Sequence, residues 1–199
     1  MQSARSTIRK SSTTDAAGVA SCASCTSSRR QKISSDAPWD KSIELCRESR
    51  VAATLALSEY IPTKPPFPGE KFDLIYAFSV FTHLSARSGK AVMEACRASI
   101  ADNGLMAITI RPQSYWEIHD QKQNIVDVKA MHRDHMEKGF AYTPHGREPI
   151  DGDITYGDTS MTLDYIKENW KGWSVAGVEF NLQDAYQVIV FLRPVQSGD

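Results

Sequence analysis

The strongest hydrophobic pattern in the chain lies between Lys71 and Leu84. Leu74, Ile75, Tyr76, Ala77, Phe78, Val80 and Phe81 form a nearly unbroken apolar run, entered by Asp73 and bounded upstream by Pro68-Gly69. A short, partly β-branched and aromatic run of this kind predicts a strand buried on both faces, as inside a parallel sheet. Its exit is polar: Ser79, Thr82 and His83. In open α/β sheets, ligands bind at the carboxyl ends of the strands. Ser85 suits the cap of a helix reaching about Ala101, with Val92, Cys96 and Ile100 as its apolar stripe and Asn103-Gly104 as its stop. A strand is expected before it at Val51–Leu57, and a short helix with Ile43 and Cys46 inward after Asp40. Between Leu57 and Lys71, residues 61–69 are proline-rich and unsuited to a helix or a central strand. Residues 112–158 lack any sustained period. Leu163, Ile166 and Trp170 predict a helix over Met161–Lys171, capped by Thr159 or Ser160 and ended by Gly172. The pattern as a whole reads as α/β.

Composition adds bounds. With 199 residues, 41% hydrophobic and 24% charged, one soluble globular domain is expected. A net charge of −1 gives no footprint for nucleic acid, and no apolar run approaches the ~20 residues of a membrane span. The four cysteines do not form a disulfide framework in a chain this long, so a cytoplasmic setting is expected. Residues 1–35 stand apart. They are rich in Ser and Thr and carry Arg5, Arg9, Lys10, Arg29, Arg30 and Lys32 against the single acid Asp15. They suit a disordered tail or an organellar transit peptide. Cys22-Ala23-Ser24-Cys25 has no second pair, and His132 and His135 are not at zinc-helix spacing, so no metal is expected.

Phe72, Asp73, Ser79, Val80, Phe81, His83 and Leu84, then Arg97 late in a helix and Gly104 before an apolar strand, fall into one pattern. It resembles the fourth and fifth strands of class I S-adenosylmethionine-dependent methyltransferases. The segment Tyr156-Gly157-Asp158-Thr159-Ser160 resembles the closing segment of that subfamily. The resemblance implies a Rossmann-like, mostly parallel sheet, with Trp173–Phe180 and Gln187–Leu192 as a C-terminal antiparallel hairpin. It implies S-adenosylmethionine as cofactor and methyl transfer to a small-molecule acceptor. It also implies roles by position: Asp36 or Asp40 for the ribose hydroxyls, Ser58 and Glu59 for the adenine, and Phe78 and Ser79 for the methionine end. His83 would be the catalytic base, Arg111 would bind an acidic acceptor, and Tyr115 and Tyr156 would orient one. Each has a plainer alternative. Asp40 suits a helix cap, Glu59 an exposed loop, and His83 a hydrogen bond that pins the turn.

The glycine turn of that family is absent. Reading the codons of Thr14–Ser21 two bases later permits Gly-Cys-Gly-Trp-Gly-Arg-Leu, so residues 1–35 are expected to be disordered or a mistranslated N-terminus. Residues 36–199 are then an N-terminally incomplete methyltransferase domain, with 112–158 as a lid. In the family the first strand lies beside the fourth. Its loss predicts either an exposed, aggregation-prone edge or an N-terminal segment rearranged to cover it. The competing functional reading is an inactive fragment or partner subunit that does not bind cofactor.

Overall fold

The computed structural model describes residues 24–26, 34–37, 40–49, 53–118, 127–180 and 183–195. In chain order the elements are β1 (Ser24–Thr26), β2 (Ser34–Ala37), α1 (Asp40–Glu48), β3 (Thr54–Leu57) and β4 (Phe72–Ala77). Then come α2 (Ala86–Ser99), β5 (Ile100–Ile110), α3 (Val128–Lys138), β6 (Phe140–Pro144), β7 (Gly157–Met161), α4 (Leu163–Asn169), β8 (Trp173–Phe180) and β9 (Val188–Pro194). The codon-shifted run Thr14–Ser21, Cys22, the Pro38-Trp39 pair, Val51-Ala52, His119 and Asn181 lie outside the described residues.

Seven strands form one sheet in the order β3-β2-β1-β4-β5-β9-β8, and β6 pairs with β7 separately. The strand expected at mid-sequence is the fourth of the seven. β4 and β5 are parallel, whereas β9 inserts antiparallel between β5 and β8 and closes the C-terminal hairpin. Side chains alternate across the sheet. Ile75, Ala77, Met106, Ile108, Val190 and Leu192 face one way and are buried. On that side lie Met93 of α2, Ile166 of α4 and the adjoining Trp170, all in one apolar cluster. Leu74, Tyr76, Leu105, Ala107, Ile189 and Phe191 face the other way and are covered less; Tyr76 is 42% exposed.

Ser85 caps α2, its hydroxyl accepting from Ser88 N at 3.2 Å. The stripe differs from expectation in detail: Met93 and Gly89 are buried, while Val92 and Cys96 pack at its margin. Asn103-Gly104 does not stop the helix. α2 ends at Ser99 and β5 begins at once. Phe72 pairs with Ile100 and Leu74 with Leu105, so 101–104 bulge out of the ladder. Gly104 belongs to that bulge because a Cβ there would stand 2.7 Å from the Ile100 side chain. The other helix also shifts. Its cap is Thr162, whose hydroxyl accepts from Tyr165 N, because Thr159 and Ser160 are drawn into β7.

β1 decides the centre of the sheet. It runs antiparallel to both neighbours, with Ser24 opposite Tyr76 and Thr26 opposite Leu74. The inner edge of β4 is therefore covered by a residue triplet from the N-terminal segment. β2, β3, β4 and β5 all point the same way. The carboxyl end of β1 consequently lies at the sheet edge opposite the carboxyl ends of these strands.

Candidate functional site

β7 reads Gly-Asp-Thr-Ser-Met and is buried along its whole length. It lies along the exit of β4: Gly157 N donates to His83 O at 2.9 Å and Thr159 N to Thr82 O at 2.9 Å. The Thr159 hydroxyl donates to Leu84 O at 2.7 Å, and Met161 N to Arg111 O at 3.2 Å. Gly157 is required by this packing, since an added Cβ would overlap the backbone oxygen of Thr143. A charged residue in so buried a strand needs partners. Asp158 has them. Arg111 Nη1 donates to its Oδ1, as does the Tyr115 hydroxyl at 2.9 Å, and His145 Nε2 lies 2.9 Å from Oδ2.

Arg111 is engaged at both terminal nitrogens. Besides Asp158 it donates to Thr82 O at 3.0 Å and to His83 Nε2 at 3.1 Å, and its guanidinium lies 3.9 Å over the Tyr115 ring. The acid expected of a substrate is thus supplied by the chain itself. His83 is also engaged at both nitrogens. Nδ1 donates to Gly157 O at 2.8 Å while Nε2 accepts from Arg111, an arrangement that fixes the neutral Nδ1–H tautomer. Burial, and then the Arg111 cation, lower its pKa from 6.5 to about 4. Neither nitrogen offers an unused lone pair to an incoming hydroxyl. His83 is held between the Gly157 carbonyl and the Arg111 guanidinium.

Tyr156 stacks on His83 at 5.0 Å between centroids and 9° between planes, with the Arg147 guanidinium 4.1 Å from its ring. Its buried hydroxyl has no hydrogen-bond partner among the described residues. Burial raises the pKa of the Tyr115 hydroxyl, which stays a donor to Asp158. Behind this group Ser160 accepts from Trp116 Nε1 at 2.7 Å and bonds His135 Nδ1 at 2.8 Å, tying α3 to β7.

The expected cofactor positions share one edge. Asp36 lies in β2 and Asp40 is the first residue of α1. Ser58 and Glu59 follow β3, and Phe78 and Ser79 follow β4. Glu59 Oε2 accepts from both N and Oγ1 of Thr63 at 2.9 Å, which lowers its pKa. Phe78 is 52% exposed. Ser79 adopts φ 57°, unusual for a residue with a side chain, and its N–H donates to Thr109 Oγ1 at 2.7 Å.

A seven-stranded sheet in this order, with its last strand inserted antiparallel, defines the class I methyltransferase fold. The solved structures agree. PH0226 from Pyrococcus horikoshii is 10% identical, with a TM-score of 0.55 over 83% of this chain and 72% of that one. A S-adenosylmethionine-dependent methyltransferase from Clostridium acetobutylicum is 9% identical, with a TM-score of 0.52 over 83% of this chain and 76% of that one. The glycopeptide N-methyltransferase MtfA, solved with S-adenosylmethionine, is 10% identical, with a TM-score of 0.53 over 83% and 73%. No protein-family model matches the sequence, and no curated protein does. The chain therefore has the fold of S-adenosylmethionine-dependent methyltransferases.

Sequence reasoning did not single out Asp158 or His145 as site residues. Asp158 stood in a segment that reads as a loop before a helix. One signal was available: an acid among small residues, with Tyr156 before it and Met161 after it, is also compatible with a buried strand that needs a cation.

Proposed function

We propose that this chain is a methyltransferase domain using S-adenosylmethionine to methylate a small-molecule acceptor. The observation that carries the reading is the common edge formed by the ends of β2, β3 and β4. The proposal assigns the ribose hydroxyls to Asp36, with Asp40 nearby, the adenine to Ser58 and Glu59, and the methionine end to the backbone at Phe78 and Ser79. The fit is favoured by the left-handed Ser79, since backbone strain at a strand exit is typical of ligand sites. When bound, the cofactor supplies an activated methyl group.

The acceptor would lie beside Tyr156, whose unpartnered hydroxyl orients it, within a wall formed by Tyr115 and the buried Arg111–Asp158 pair. His83 holds Tyr156 by stacking and is itself held by Gly157 and Arg111. Catalysis then rests on alignment, which can supply much of a displacement reaction's acceleration without a base. Residues 36–199 form the methyltransferase domain in this reading. Residues 112–158 are assigned to the acceptor side. The setting is the cytoplasm. Among the described residues, no helix is long and apolar enough to cross a membrane.

One observation favours a second reading. Because β1 is antiparallel, its carboxyl end lies at the edge of the sheet opposite the one proposed for the cofactor. A chain that lacks a cofactor contact from that end would serve as a partner subunit without cofactor. Calorimetry of the full 199-residue chain with S-adenosylhomocysteine separates the two. Saturable binding supports the methyltransferase, and no heat at millimolar ligand supports the inactive partner.

A further inference from the structure

At the top of the sheet, beside the exit of β4, lies a polar cluster around Ser79 whose side chains the preceding roles leave unused. It consists of Ser79, Thr82, Thr109 and Gln187, drawn from β4's exit, β5 and the start of β9. Thr109 Oγ1 accepts from Ser79 N at 2.7 Å. Gln187 Nε2 donates to Ser79 Oγ at 3.4 Å, and Ser79 Oγ lies 3.3 Å from Thr82 Oγ1. Ser79 Oγ accepts from the amide and shares a further hydrogen bond with the Thr82 hydroxyl. These contacts hold the residue in its left-handed conformation.

Gln187 is only 7% exposed, yet its Oε1 has no hydrogen-bond partner among the described residues. A buried amide oxygen left unpaired is costly, and such groups are rare in native proteins. Gln187 is positioned from both sides of its own backbone. Its N–H donates to Asp184 O at 3.0 Å, and β9 begins at the next residue, Val188, paired with Ile110. The side chain is thus fixed beside a strained strand exit, with one acceptor unspent.

We infer that Gln187 is a ligand-binding residue, its side-chain oxygen accepting a hydrogen bond from the ammonium group at the amino-acid end of the cofactor. This rests on the methyltransferase reading above and adds a contact from β9 to it. An ammonium fits best for two reasons. The vacant group is an acceptor, and the neighbouring Ser79 is where the methionine end is proposed to lie. A bond from a charged donor to a buried amide oxygen is also stronger than one between neutral groups.

Two nucleosides test it by calorimetry: S-adenosylhomocysteine, which carries the amino-acid end, and methylthioadenosine, which lacks it. Gln187→Met removes both polar atoms at similar volume, and Gln187→Glu keeps an acceptor. The expected result is tenfold or greater weakening of S-adenosylhomocysteine by Gln187→Met. Methylthioadenosine binding should be unchanged, and Gln187→Glu should retain S-adenosylhomocysteine. The methylthioadenosine control also reports whether Gln187→Met has kept its fold. The inference is overturned if both nucleosides weaken equally, or if Gln187→Met binds S-adenosylhomocysteine as the unaltered chain does. An unaltered chain that binds neither nucleoside overturns the methyltransferase reading, and this inference with it.

Discussion

The two halves of the sheet are built on different principles. From β4 onward, a continuous apolar cluster runs from Phe72 to Leu192, with Phe81, Met106, Ile108, Val190 and Leu192 almost wholly buried. Before β4, Ile43 is the one buried hydrophobic among the described side chains, and Leu45 and Leu57 are largely exposed. The C-terminal half also contains the Arg111–Asp158 pair and its donors. The N-terminal half contributes short strands and the edge proposed for the cofactor. The burial that stabilises the sheet is therefore concentrated in the C-terminal half, whereas the proposed cofactor edge draws on both halves, on Asp36, Ser58 and Glu59 before β4 and on Phe78 and Ser79 after it.

The largest break should come at Asp158. Asp158→Ala leaves the Arg111 guanidinium buried without its carboxylate, so unfolding by urea should show a loss of about 3–5 kcal/mol. A change under about 1 kcal/mol would mean that the pair is not a stabilising hub. Next, Met106→Ala should cost about 2–5 kcal/mol, with Ile43→Ala well below it, because Ile43 lies outside the main cluster. Equal costs would erase the proposed asymmetry. Hydrogen exchange sharpens the same point: amides of β5 and β9 should be protected more strongly than those of β3.

Acid probes the His83 network. The unfolded imidazole takes up a proton near 6.5 and the folded one only near 4, so acid favours the unfolded chain. Stability should be greatest above 6.5 and fall by about 3 kcal/mol as pH drops from there to about 4. His83→Phe should flatten that segment of the pH profile. For the same reason, a methyl-transfer assay should show no inflection from His83 near 6.5. The smallest effect is expected at Ser85, where Ser85→Ala removes the α2 cap and a bond to Asp153 and should cost about 1 kcal/mol in thermal unfolding.

Some of this was legible in the chain. The apolar run after Lys71, the Ser85 cap and the stripe of Leu163, Ile166 and Trp170 are local patterns, each set by period and capping chemistry within a few residues. The two C-terminal strands were legible through the family resemblance. Positions at strand ends could be inferred from the same pattern, so Ser79, His83, Arg111, Tyr115 and Tyr156 were named. The contacts that occupy Arg111 and His83 could not. Arg111 reads as a free cation until β7 brings Asp158 against it. His83 reads as a base until both its nitrogens are filled.

By itself, then, the sequence determined the β4 run and the helices that begin near Ser85 and Thr162, because alternation and capping act between near neighbours. Only the tertiary structure decided three further things: the direction of β1 between β2 and β4, the recruitment of Thr159 and Ser160 into β7, and the pairing of Asp158. These depend on which backbone edge or buried charge arrives from a distant part of the chain. A buried donor or acceptor takes the partner that packing supplies, and no local pattern specifies that partner.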